Sequence, residues 1–154
     1  MSLIAVRPLE ENLAAAVEQP AALLALGIPR CPACMLLPAS LDVIAHARPD
    51  LWIGLSLFTS ADDWSRREDL LWPRGIHVSR STVPVLTLLA NGAHLASRPG
   101  GGPAHVLDEW LTEHLGRPPQ PLTPGLTTGE DAAMQRVAAR HAQHRAVSRR
   151  DADA

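Results

Sequence analysis

The chain has 154 residues with no lysine, no tyrosine, a single phenylalanine and only two cysteines, Cys31 and Cys34. Each scarcity excludes something. Two thiols cannot form the disulfide framework of a small secreted domain, and a reducing compartment would keep them as thiols. No apolar run approaches the roughly 20 residues that a membrane-spanning helix needs. The opening MSLIAVRPLEENL lacks the basic start, long apolar stretch and small-residue cleavage site of a secretory signal, so a cytoplasmic location is expected. With lysine absent, all 14 basic residues are arginines, set against 16 acids for a net charge of -2. That balance gives no overall attraction to nucleic acid or to an anionic membrane.

What remains is the composition of one folded domain with a tail: 46% hydrophobic and 19% charged residues. The charge is uneven along the chain. Residues 1–116 carry 8 arginines against 12 acids, and residues 117–154 carry 6 against 4. Three units are therefore expected: a globular domain over 1–116, a proline-rich linker over 117–129, and a basic tail over 130–154 that is helical or disordered.

Hydrophobic periodicity places the elements. LEENLAAAVEQ, residues 9–19, repeats Leu9, Leu13, Ala16 and Val17 at helical spacing, and Pro20 ends it. AALLALGI, residues 21–28, is a continuous apolar run between two prolines and reads as a strand buried on both faces. From Cys34 to Ala47 the residues Met35, Leu37, Leu41, Ile44 and Ala45 suit an amphipathic helix beginning at the cysteines, with a kink at Pro38. LWIGLSLF (51–58) and VLTLLANG (85–92) read as further strands, the second ending in an Asn-Gly turn that leads to a returning strand, AHLASR. GPAHVLDEWLTEHLG, residues 102–116, presents Val106, Leu107, Trp110, Leu111 and Leu115 as one helical stripe. Residues 59–83 show no clean period and predict an irregular helix near 61–72 followed by a loop. The sum is an α/β fold, a central mixed β-sheet flanked by helices, with a C-terminal linker and helix.

A Cys-x-x-Cys pair at the first turn of a helix has a definite chemical use. Residues i and i+3 share a face, near enough for a disulfide. The unpaired N–H groups and dipole at a helix start favour a thiolate, the reactive form of the sulfur, at Cys31. Arg30 adds a positive charge next to it, and Pro32 suits an early helical position where its missing N–H costs nothing. A structural reading, two small buried apolar residues, stands beside the redox reading. A Cys2His2 zinc site with His141 and His144 would span more than a hundred residues, and no metal is expected.

The resemblance is carried by more than the cysteines. PLEENLAAAVEQPAALLALGIPRCPACMLLPASLDVIA resembles the first helix, central strand, Cys-x-x-Cys and kinked second helix of the thioredoxin family. STVPVLTLLANGAHLASRPGG resembles that family's cis-proline loop and hairpin, and VLDEWLTEHL its final helix. The likeness covers residues 3–116. It implies a thiol-disulfide oxidoreductase that reduces protein disulfides, with Cys31 as nucleophile, Cys34 as resolving cysteine, and a cis Val83-Pro84 bond whose Val83 backbone pairs with an extended substrate. Arg30 stands where the family has a tryptophan, and Ala25 where it commonly buries an aspartate. The implied partners are protein disulfide substrates and an electron donor, with no metal or organic cofactor. The alternative is a non-catalytic chaperone or assembly factor on the same fold, binding a protein partner.

Other motifs carry less. RPGGGP lacks the lysine and spacing of a phosphate loop and reads as a turn. Asp62 and Asp63 read as acids opening a helix, Trp64 and Trp72 as packing residues, and His77 as a candidate proton shuttle. Thr128 with Asp131 forms a capping pattern for a tail helix. The tail's five arginines from 136 to 150 read first as a solvated helix or disordered end, with binding of an acidic partner or RNA as the alternative.

Overall fold

The computed structural model describes residues 3–122. Nine elements and one 3-10 turn follow in order: β1 (Ala5–Val6), α1 (Leu9–Val17), β2 (Ala21–Gly27), α2 (Pro32–Ala47), β3 (Trp52–Leu57), α3 (Ala61–Leu70), the turn Trp72–Arg74, β4 (Val85–Ala90), β5 (Ala93–Pro99) and α4 (Ala104–Leu115). The strands form one five-stranded sheet in the order β1-β3-β2-β4-β5. β2 and β1 run parallel to β3, whereas β4 is antiparallel to both β2 and β5. This is the mixed sheet expected from the sequence, with each of the four strands β2 to β5 ending within two residues of its predicted limit.

The sheet's centre is apolar on both faces because β2 is. Alternation along it sends Leu23 and Ala25 into one cluster with Leu37, Leu41 and Ile44 of α2 and Leu107 and Leu111 of α4. Ala22, Leu24 and Leu26 enter a second cluster with Leu9 and Leu13 of α1, Phe58, Leu71 and Ile76. A strand covered on two faces has no polar positions, so it reads in sequence as an unbroken apolar run.

Three features depart from expectation. β1 was not foreseen: two residues carry no period. Asn12, fully buried on α1, supplies what they lack, its amide donating to Ala5 O and Leu55 O at 3.1 Å each and so tying β1 to β3. Residues 61–70 form a regular helix where an irregular one was expected. Ser60 caps it, accepting from the Asp63 N–H at 3.2 Å while the Asp63 carboxylate accepts from the Ser60 N–H at 3.1 Å. No residue of α3 is fully buried, and a helix that buries so little shows no apolar stripe. Finally, the expected linker starts as a docked segment: the Gln120 N–H donates to Ala47 O at 3.2 Å, and Leu122 packs against the core. The rest of the linker and the tail, with Thr128, Asp131, His141, His144 and the arginines from 136 to 150, lie outside the described residues.

α2 is the element that organises the site. It runs unbroken through Pro38. Its C-terminal end is locked by Arg48, only 5% exposed, whose guanidinium meets Asp108 Oδ1 at 2.9 Å, Thr112 Oγ1 at 3.0 Å and Gly116 O at 2.9 Å. Its N-terminal end opens at Cys31.

Candidate functional site around Cys31 and Cys34

β2 leaves the sheet at Gly27 and reaches α2 through Ile28, Pro29 and Arg30. Arg30 adopts a left-handed backbone (φ 64°) and is exposed. That turn delivers Cys31 to the N-cap position of α2 with an extended backbone (φ -83°, ψ 122°) and sets Pro32 at the first helical position. There the Cys31 sulfur takes the role that a serine or aspartate oxygen usually fills. It accepts a hydrogen bond from the Cys34 N–H at 3.2 Å, while its own carbonyl accepts from the Met35 N–H at 2.9 Å. An anionic sulfur gains most from such a donor, since the N–H is otherwise unpaired and lies at the positive end of the helix dipole.

The two thiols are free and unequal. Cys31 is half-buried, whereas Cys34 is 5% exposed. Burial pushes the Cys34 thiol up to about 12; a hydrogen bond to the Cys31 sulfur and the charge on that sulfur add to the rise, and a backbone hydrogen bond from Ile28 opposes it. Cys34 is thus held as a thiol beside Cys31, whose sulfur accepts.

Cys34 fits because residue 27 is glycine. A Cβ there would stand 2.9 Å from the Cys34 sulfur and 3.5 Å from Leu57 Cδ2, so both side chains close over a bare α-carbon. Ala25, at the position where the resemblance led one to look for a carboxylate, is fully buried in the core.

The Val83-Pro84 peptide is cis. Val83 precedes β4 and packs its side chain against the second core cluster. The glycine run after β5 joins this loop to the helix. The Gly100 N–H donates to Pro84 O at 2.7 Å. Gly101 sits tightly, its Cβ position being 3.2 Å from Ala33 O and 3.5 Å from Pro84 Cγ. Gly102 O accepts from the buried Ser40 hydroxyl at 2.8 Å. In RPGGGP, Arg98 and Pro99 thus end β5, and the glycines form the expected connection into α4, which also wedges between α2 and the Val83-Pro84 loop.

Of the residues singled out from sequence, Arg30, Cys31 and Cys34 lie in and before the first turn of α2, Pro84 is linked to that turn through Gly101, and Val83 packs on the second core cluster. Gly27, Ser40, Leu57 and Gly101 were missed, since only three-dimensional proximity marks them; the glycine run was the one visible signal. His77 stands against the Trp72 ring, 6.1 Å between centroids. Trp64 stacks on Phe58 at 4.7 Å and carries the Arg67 guanidinium at 4.9 Å and that of Arg80 at 5.3 Å, which is the packing role read from the sequence. Ile28, Phe58, Trp64 and Arg80 line an open pocket of about 270 Å³ beside the site. Among the described residues no group of three or more His, Cys, Asp or Glu side chains is placed to hold a metal ion. Nor is any helix among them long and apolar enough to cross a membrane.

No protein-family model and no curated protein matches the chain. Solved structures do. Thioredoxin O2 from Arabidopsis thaliana in its oxidized state is 16% identical, with 75% of this chain and 96% of that one covered at a TM-score of 0.55. Thioredoxin f2 of Chlamydomonas reinhardtii is 14% identical over 73% and 97%, TM-score 0.57. Desulfothioredoxin from Desulfovibrio vulgaris Hildenborough in its reduced form is 20% identical over 73% and 99%, TM-score 0.57. At such identities the likeness establishes the fold.

Proposed function

We propose that this thioredoxin-fold chain is a thiol-disulfide oxidoreductase that reduces protein disulfides through Cys31 and Cys34. One observation carries the reading: a half-exposed sulfur caps a helix N-terminus, accepting the Cys34 N–H, with a second thiol buried one turn behind it. Fold alone would not suffice, because one fold hosts many activities.

Cys31, as thiolate, attacks one sulfur of the target disulfide. A Cys31–target bond forms and the other target sulfur leaves with the electron pair. Cys34 then attacks the Cys31 sulfur, forming the intramolecular disulfide and releasing the second target thiolate. Two electrons have passed to the target, and a separate donor returns the pair to the dithiol. Val83 offers its backbone to an extended target segment, Pro84 closes the groove, and Arg30 attracts negative charge on the target beside the attacked bond. In the cytoplasm, where dithiols are held reduced, the direction is reduction and the role is in redox homeostasis.

Insulin reduction with dithiothreitol as donor tests this. The wild type should precipitate the insulin B chain faster than the uncatalysed reaction, and Cys31→Ser should return the rate to background. The apolar burial of Ala25, with no carboxylate to serve Cys34, favours the second reading, a non-catalytic chaperone or assembly factor. A wild type no faster than Cys31→Ser would select it.

A further inference from the structure

Resting on the dithiol reading above, we infer that the pocket between Ile28, Trp64 and Arg80 is a specificity subsite, which receives a carboxylate side chain of the target protein close to the disulfide under attack. Its place along the chain ties it to the reactive end. Only Pro29 and Arg30 separate Ile28 from Cys31, Arg80 stands three residues before Val83, and Ile28, Trp64 and Val83 pack against the same buried cluster. A target bonded to Cys31 and paired with the Val83 backbone has this pocket as its neighbour. The space is about 270 Å³, short of the roughly 300–1,000 Å³ of sites that enclose a small molecule, so it suits one side chain of a larger partner.

The segment 59–83 builds the pocket around a braced arginine. Trp64 stacks on Phe58 at 4.7 Å. The Arg67 guanidinium lies 4.9 Å from the Trp64 ring and 5.8 Å from the Trp72 ring, and its Nη1 donates to Val78 O at 2.9 Å, which ties α3 to the chain leading to residue 80. A turn follows, in which the Thr82 N–H donates to Ser79 O at 3.1 Å and the Ser79 N–H to Thr82 Oγ1 at 2.9 Å. It carries the Arg80 guanidinium over the Trp64 ring, 5.3 Å from the centroid.

Charge selects the occupant. Among the described residues that line the pocket Arg80 alone is charged, and it has no ion pair or hydrogen bond, only the ring. Thr59 and Ser60, which also line it, are already engaged. The Asp63 carboxylate accepts from the Thr59 N–H at 2.8 Å, the Thr59 hydroxyl at 3.0 Å and the Ser60 N–H at 3.1 Å, so its charge is absorbed at the start of α3 and not by Arg80. A guanidinium held on an aromatic ring is preorganised and loses less freedom when it pairs with a carboxylate. Ile28, Phe58 and Trp64 supply apolar walls for the methylenes beneath that carboxylate.

The test uses the full reduced chain and short peptides that carry one cysteine as its pyridyl disulfide, with Glu, Gln or Lys placed at each flanking position in turn. Cys31 attacks the peptide sulfur, the Cys31–peptide bond forms, and pyridinethiolate leaves with the electron pair and absorbs, so each peptide gives a second-order rate constant. At the position that reaches the pocket the Glu peptide should react about fivefold faster than the Gln peptide, the scale of one partly exposed ion pair, and Arg80→Glu should reverse the order so that the Lys peptide leads. Should Arg80→Glu fail to fold, Arg80→Gln should bring the Glu and Gln peptides level. No position with a Glu-to-Gln ratio above about two, or a Glu preference kept by the folded Arg80 variant, overturns the pocket; a preference lost in Arg30→Gln and kept in the Arg80 variant assigns it to Arg30 and does the same. The uncharged hydroxyethyl pyridyl disulfide isolates the chemistry. If the wild type releases no pyridinethiolate from it, or Cys31→Ser releases it as fast, the dithiol reading itself falls.

Discussion

The two ends of α2 are built to opposite plans. At the C-terminal end Arg48, nearly inaccessible, bonds its backbone N–H to Ile44 O and spreads its guanidinium over Asp108, Thr112 and Gly116 O, and the Gln120 N–H takes Ala47 O. The polar groups named there are all taken up within the protein. At the N-terminal end the amide of Cys34 meets a sulfur half open to solvent. A helix anchored at one pole can present reactive chemistry at the other without losing its place, and burial decides which pole does which.

Substitutions at the two poles should separate activity from stability. Cys31→Ser keeps an N-cap acceptor, so insulin reduction should fall to background while denaturant-derived stability changes by less than about 0.5 kcal/mol. Arg48→Ala should do the reverse. Removing one partner of a buried pair costs about 3 kcal/mol, visible as a lower urea midpoint, with activity per folded molecule retained. A loss of activity without loss of stability in Arg48→Ala would break the contrast.

Between the poles sits Ser40. Ser40→Ala leaves Gly102 O without its donor and should cost about 1–2 kcal/mol. Because Gly101 wedges Ala33 against Pro84, insulin reduction by the folded variant should also slow; an unaltered rate would confine Ser40 to stability. The smallest effects belong to α3, which takes no part in the contrast. Ser60→Ala removes a cap worth about 1 kcal/mol in thermal or urea unfolding. Hydrogen bonds from Thr59 and Ser60 hold the Asp63 carboxyl below its ordinary value. Its contribution is therefore complete above the unfolded carboxyl's pKa of about 3.9 and disappears as pH falls through the lower folded value. The stability gap between wild type and Asp63→Asn should be constant near neutrality and close below about pH 4.

The sequence exposed what depends on neighbours along the chain. β2 and β4 announced themselves because both faces are covered, and Cys31, Pro32 and Cys34 because helix-start geometry is local. β1 escaped, since two residues have no period and their place is fixed by Asn12 bonding to Leu55 43 residues away. α3 was expected, near 61–72, only as an irregular helix: Ser60 and Asp63 spelled its cap, but a helix with no fully buried residue has no stripe to read. Arg48 resembles any surface arginine until Asp108, 60 residues on, is brought against it. Gly27 is invisible for the same reason, its importance lying in the Cys34 sulfur packed against it.

The contact between Gln120 and Ala47 also places the last described residues at the end of α2 away from the cysteines. Sixteen helical residues separate that point from the N-cap, a span of about 24 Å at 1.5 Å per residue. A fluorophore or affinity handle attached at the exposed Gln120 side chain therefore sits at the antipode of the sulfurs, where it can report capture of a target without standing in the target's way.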